Sequence, residues 1–136
     1  MLTYRGDSIG AIGGFDERSI AASLRNALAQ AIHLDRDETV ICNNGIEVTH
    51  RSFESVIKAA AIPGFYYLDK KGTDIRAVSF TSPAIFVMSD HKSMPRKSLH
   101  YLARLGGLPI ALGPKTVFAS QCVVLVHNEL DRQAIQ

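Results

Sequence analysis

A chain of 136 residues, 46% hydrophobic and 21% charged, suits one folded domain with one core and excludes a disordered polymer. A formal net charge of +2 and a pI near 8.6 accommodate a polyanionic partner without demanding one. No apolar run is long enough to span a membrane and MLTYRGDSIG carries no apolar signal core, so a soluble, cytoplasmic protein is expected, with Cys42 and Cys122 as free thiols.

Leu2 to Arg5 reads as a short strand, and the glycine-rich stretch from Ile9 to Phe15 as a loop. Asp16 stands where a helix N-cap belongs. Behind it Ile20, Leu24, Ala27, Leu28, Ala31 and Ile32 recur at helical spacing, which predicts a helix from Glu17 to His33. Glu17 suits the positive end of that helix. Thr39 to Cys42 and Ile46 to Val48 read as brief strands around Asn43-Asn44-Gly45. A helix follows from Ser52 to Ala61, ended by Pro63-Gly64. Phe65 to Leu68 is an apolar strand, with a turn expected at Lys70-Lys71-Gly72. Ala84 to Met88 and Leu108 to Leu112 are further apolar strands. Runs that do not alternate suit strands buried on both faces, as in a parallel sheet covered by helices. Pro95 opens a helix through about Leu105. From Ala119 to Arg132 the signals conflict: Cys122 to Val126 is β-branched, yet Ser120 can cap a helix and Val123, Val126 and Leu130 fit a helical stripe. The alternation of strands and helices predicts an α/β fold with a mainly parallel sheet.

Familiar catalytic signatures are missing. No GxGxxG, GxxxxGK[ST] or GxSxG occurs, and the five histidines form no metal-binding set, so no metal site is expected. Ser89-Asp90-His91 is no catalytic triad, because neighbours on an extended chain point to opposite faces. Three strand ends are more informative: Tyr67-Leu68-Asp69, Met88-Ser89-Asp90 and Leu112-Gly113-Pro114. If the strands are parallel neighbours, these turns lie side by side, where open α/β sheets bind ligands. Together they would form a slot with apolar walls, suited to an adenine ring and a methionine tail.

The chain resembles the pseudouridine N1-methyltransferases of the TrmY family. The resemblance rests on Ala84-Ile-Phe-Val-Met-Ser-Asp-His91, Ile110-Ala-Leu-Gly-Pro114, Ala119-Ser-Gln-Cys122 and His127-Asn-Glu-Leu-Asp-Arg132. Upstream, Tyr66-Tyr-Leu68 with Lys71-Gly72 and Ile75-Arg76 is similar, as is Tyr4-Arg-Gly6 with Phe15-Asp-Glu-Arg-Ser19. The resemblance implies one SPOUT-type domain over residues 1–136, with a C-terminal trefoil knot that holds S-adenosylmethionine. It also implies a helix from Ala119 onward, through which the protein forms a homodimer, and methyl transfer to N1 of pseudouridine in tRNA. Leu68, Ser89, Leu112, Gly113 and Cys122 match cofactor positions, although relatives often carry glycine where Ser89 stands. Asp16 and Arg18 match an acidic-basic motif near the substrate, and a helix N-cap with a solvated arginine is the plainer reading of both. Arg5, Arg25, Arg76, Lys92, Arg96 and Lys97 are further candidates for RNA backbone contacts. Relatives usually begin with another strand and helix before the region matching Leu2, so an N-terminally shortened domain is expected. Two rivals stand beside this reading: a knotted methyltransferase for another RNA nucleotide, and a shortened fragment that only binds RNA or dimerises.

Overall fold

The computed structural model describes residues 1–4, 6, 14, 16–42, 45–60, 63–90 and 92–134. The fold is mixed α/β and falls into two compact units, residues 1–56 and 57–136.

In the first unit, β1 (Leu2–Tyr4), β2 (Thr39–Ile41) and β3 (Ile46–Thr49) form a sheet in the order β1-β3-β2 beside helix α1 (Glu17–Gln30). Both pairings are antiparallel. The expectation of a mainly parallel sheet therefore fails here. Residues 42–45 alone join β2 to β3, whereas a parallel crossover needs a dozen or more residues. The Cys42 N–H donates to the Ile46 carbonyl at 2.8 Å, and Gly45 takes a left-handed conformation (φ 75°) to close the turn.

Helix α1 starts where the sequence placed it. The Asp16 carboxylate accepts the Ser19 N–H at 3.0 Å and the Ser19 hydroxyl as well. The helix stops at Gln30, short of His33, and buries a narrower face than its apolar spacing suggested. Ser23 and Ala27 are buried, while Ile20, Leu28 and Ile32 are exposed. Small residues on the inner face let the helix backbone approach the sheet. The core is Ala27, Cys42, Ile46 and Val48, with Leu2, Ala31, Leu34 and Val40 packed around it.

The boundary between the units falls within α2 (Phe53–Ala60). The second unit is built on a parallel sheet in the order β5-β4-β6, from β4 (Phe65–Asp74), β5 (Ile85–Val87) and β6 (Leu108–Ala111). Its helices are α3 (Arg96–Arg104) and α4 (Ala119–Ala134). The C-terminal ambiguity thus resolves as a helix, with Val126 buried and Val123 to Leu125 exposed.

Both faces of this sheet are covered, which explains the unbroken apolar runs. Phe65 and Tyr67 point to a layer with Ile57 and Leu102, whereas Tyr66 on the other face joins Ile75, Ile110 and Val126. On that second face Tyr66 stacks on Phe86 with 5.3 Å between ring centroids, and Phe80 meets Tyr66 edge-on at 5.0 Å. Such pairs each add about 0.5–1.5 kcal/mol beyond the area they bury.

The turn expected at Lys70-Lys71-Gly72 is instead an irregular stretch within β4. Leu68 and Thr73 both pair with Ile110, so the four residues between them bulge out of register. Gly72 makes this possible. A Cβ there would lie 2.5 Å from both the Ile110 nitrogen and the Pro109 carbonyl carbon.

Gln133 ties α4 to the chain after the 3-10 turn at Ile75–Ala77. Its amide oxygen accepts the Phe80 N–H at 3.0 Å and its nitrogen donates to the Val78 carbonyl at 2.8 Å. Gln133→Ala leaves two partly buried backbone groups unpaired. We expect a loss of about 2 kcal/mol in urea unfolding; a change under about 0.5 kcal/mol would mean that water replaces the amide freely.

Candidate active site

Parallel strands send their C-terminal ends to one side of the sheet. There the second unit holds a cavity of about 350 Å³, within the size range of small-molecule sites. β4 contributes Leu68, half-buried and paired with Ile110. Ser89 lies two residues beyond β5, and Leu112 and Gly113 directly follow β6. Cys122 sits in the first turn of α4, where its N–H donates to the Phe118 carbonyl at 2.9 Å. All five expected cofactor positions line this one cavity.

Met94, Leu99 and Ile110 add apolar wall, and Asp69 and Asp90 add carboxylates. Gly113 takes a positive φ of 139°, and a Cβ there would meet nothing within 4 Å. The lining therefore offers apolar surface for a flat ring beside groups that can bind hydroxyls and an ammonium. That donor set fits a nucleoside carrying a charged tail.

Asp16 and Arg18 are not among the lining residues and belong to the first unit. Asp16 is exposed, and its bonds to the Ser19 side chain and backbone hold its carboxyl below the ordinary value of 3.8. It is ionised at neutral pH and is a weaker proton acceptor than a free carboxylate. In the second unit the phenol of Tyr67 shifts the other way. Burial, and then the Asp69 carboxylate, raise it above 10.0, so it stays neutral.

Four lysines, Lys70, Lys71, Lys92 and Lys115, also line the cavity. In the sequence Lys92 reads as a candidate RNA contact, Lys70 and Lys71 only as part of a turn, and Lys115 carries no reading. The available signal was positional, since each apolar strand is followed within a few residues by lysine. His91 and Arg5 lie outside the described residues. Among the described residues no group of three or more His, Cys, Asp or Glu side chains could hold a metal ion. None of the described helices is long and apolar enough to cross a membrane.

A family model described as "Putative SAM-dependent RNA methyltransferase" matches residues 1–135. The chain belongs to this family. Its curated relatives include proteins named "Putative pseudouridine methyltransferase" from three bacteria. The Shewanella baltica protein is 43% identical over 121 residues, 88% of this chain and 61% of its own length. The Shewanella frigidimarina protein is 41% identical over 131 residues, covering 96% of this chain and 66% of its own. The Vibrio cholerae protein is 38% identical over 133 residues, 97% and 66% respectively. The chain thus spans somewhat less than two thirds of the length of these relatives. The methyl donor named for the family, S-adenosylmethionine, is a nucleoside with a charged amino-acid tail, the class of ligand that the lining suits.

Proposed function

We infer that this chain is the cofactor-binding part of an RNA methyltransferase that uses S-adenosylmethionine and modifies N1 of pseudouridine. One observation carries the reading: Leu68, Ser89, Leu112 and Gly113 at the ends of three parallel strands, and Cys122 in the first turn of α4, line one cavity although they spread over more than fifty positions in sequence. Family membership and the relatives' names support the reaction class. When bound, S-adenosylmethionine supplies a methyl group already activated on a sulfonium.

The protein's part is then to hold and align. Leu68, Leu112 and Leu99 exclude water from the ring. Ser89 and the Asp69 and Asp90 carboxylates orient the polar groups. The acceptor N1 is a weakly acidic ring N–H, which must give up its proton as the N–C bond forms. The resemblance assigns that end to Asp16 and Arg18. The capped carboxyl of Asp16 is ionised at neutral pH and can orient the N–H or accept its proton as the N–C bond forms. Arg18 would steady developing negative charge or a phosphate.

The resemblance extends the reading to a trefoil-knotted SPOUT domain, a tRNA substrate and a homodimer through α4. The exposed Val123, Val124 and Leu125 on α4 support an apolar partner face.

Asn caps a helix as well as Asp does, so Asp16→Asn separates chemistry from folding. We expect Asp16→Asn to keep its melting temperature and its cofactor affinity. Transfer of labelled methyl to pseudouridine-containing RNA should slow by about 10²–10⁴-fold. An unchanged rate reduces Asp16 to a helix cap. A folded wild-type protein that methylates uridine-containing and pseudouridine-containing RNA equally contradicts the assigned acceptor.

A further inference from the structure

We propose that the lysines around the cavity form a phosphate-binding rim that seats the RNA strand across the cofactor pocket. The proposal rests on the methyltransferase reading and names the surface through which its substrate is gripped.

Each of the three parallel strands delivers cations to the same opening. β4 supplies Lys70 and Lys71, the segment after β5 supplies Lys92, and the segment after β6 supplies Lys115. All four are exposed, and among the described residues none of them is in an ion pair. The two nearby carboxylates each accept a lysine backbone N–H through one oxygen. Asp69 accepts the Lys71 N–H at 2.9 Å, and Asp90 accepts the Lys92 N–H at 2.9 Å. The lining counts four lysines against two aspartates, an excess as large as the formal +2 of the whole chain.

One helix beside the cavity, α3, adds the same sign. A helix N-terminus favours acidic residues in its first turn, and α1 and α2 have Glu17 and Glu54 there. The two helices that begin beside the cavity, α3 after Met94 and α4 after Val117, have none. α3 opens instead on Arg96 and Lys97, and Pro95 provides no side-chain cap. Two cations at a positive helix end lower stability unless an anion joins them.

The cofactor is not that anion. With a sulfonium, an ammonium and one carboxylate, S-adenosylmethionine is a net cation at neutral pH, and a ring of lysines repels it. A run of phosphates relieves the repulsion and satisfies several ammonium groups at once. Lysine suits this task because it acts as a point charge and reads no base edge. Each ligand should then bind more tightly when the other is present.

The experiment uses the double variant Lys92→Gln/Lys115→Gln, with Lys58→Gln, an exposed lysine away from the cavity, as control. Binding of a short pseudouridine-containing RNA hairpin is followed as salt is raised, and S-adenosylmethionine binding is followed by calorimetry. We expect the slope of log affinity against log salt to become shallower by about 0.7–0.9 for each rim lysine removed. Lys58→Gln should leave it unchanged, Lys92→Arg/Lys115→Arg should restore it, and cofactor affinity without RNA should stay the same or rise. An unaltered slope in the double variant overturns the rim, even if methyl transfer by the wild type upholds the enzyme reading. Weaker cofactor binding with unchanged RNA binding also overturns it, by giving the lysines to the methionine carboxylate. If the wild type binds no cofactor but the rim variants still lose RNA, the enzyme reading fails and the rim stands.

Discussion

Replacing Gly72 with valine is expected to destabilise the protein by about 3 kcal/mol in chemical unfolding, the upper part of the range for forced overpacking. The added Cβ would overlap the backbone of Pro109 and Ile110, which cannot swing aside as a flexible side chain can. Either β6 leaves its register with β4 or the bulge between Leu68 and Thr73 opens. Ile110 is fully buried at the centre of the Tyr66, Ile75 and Val126 cluster, so moving it disturbs the core on that face. It also lines the cavity, and loss of cofactor affinity should accompany the loss of stability. Wild-type stability in Gly72→Val would show that β4 and β6 do not approach this closely.

Ser89→Phe is expected to leave the fold intact and weaken S-adenosylmethionine binding at least about tenfold, or 1.4 kcal/mol. Ser89 lies beyond the end of β5, is half-buried and lines the cavity. It follows the strand and faces the cavity, so a larger side chain need not disrupt the core. A phenyl ring there intrudes into the 350 Å³ cavity. Circular dichroism and melting temperature report the fold, and calorimetry reports the affinity. A folded variant that binds the cofactor as tightly as the wild type would place the cofactor elsewhere.

Where one physical cause dominated a segment, the sequence was legible. Phe65 to Leu68, Ala84 to Met88 and Leu108 to Leu112 do not alternate because helices cover both sheet faces, and all three are strands. Asp16 was readable as a cap because its side chain bonds locally to Ser19. The extent of β4 was not readable. Its polar half is held by contact with β6, some forty positions away, and by a glycine whose value lies in what it leaves out. The buried face of α1 was misjudged because small Ser23 and Ala27 permit closer packing than the larger Ile20 and Leu28. Spacing showed three strand ends that could converge, and the resemblance attached cofactor positions to them. The lysine rim escaped notice because its members become neighbours only once β5, β4 and β6 are aligned in parallel.

The most direct test is a titration of the isotopically labelled chain with S-adenosylmethionine, followed residue by residue by NMR. We predict saturable shifts centred on Leu68, Ser89, Leu112, Gly113 and Cys122. Saturation without movement at those five positions, or no binding by a folded chain, would contradict the assignment of this cavity to the methyl donor.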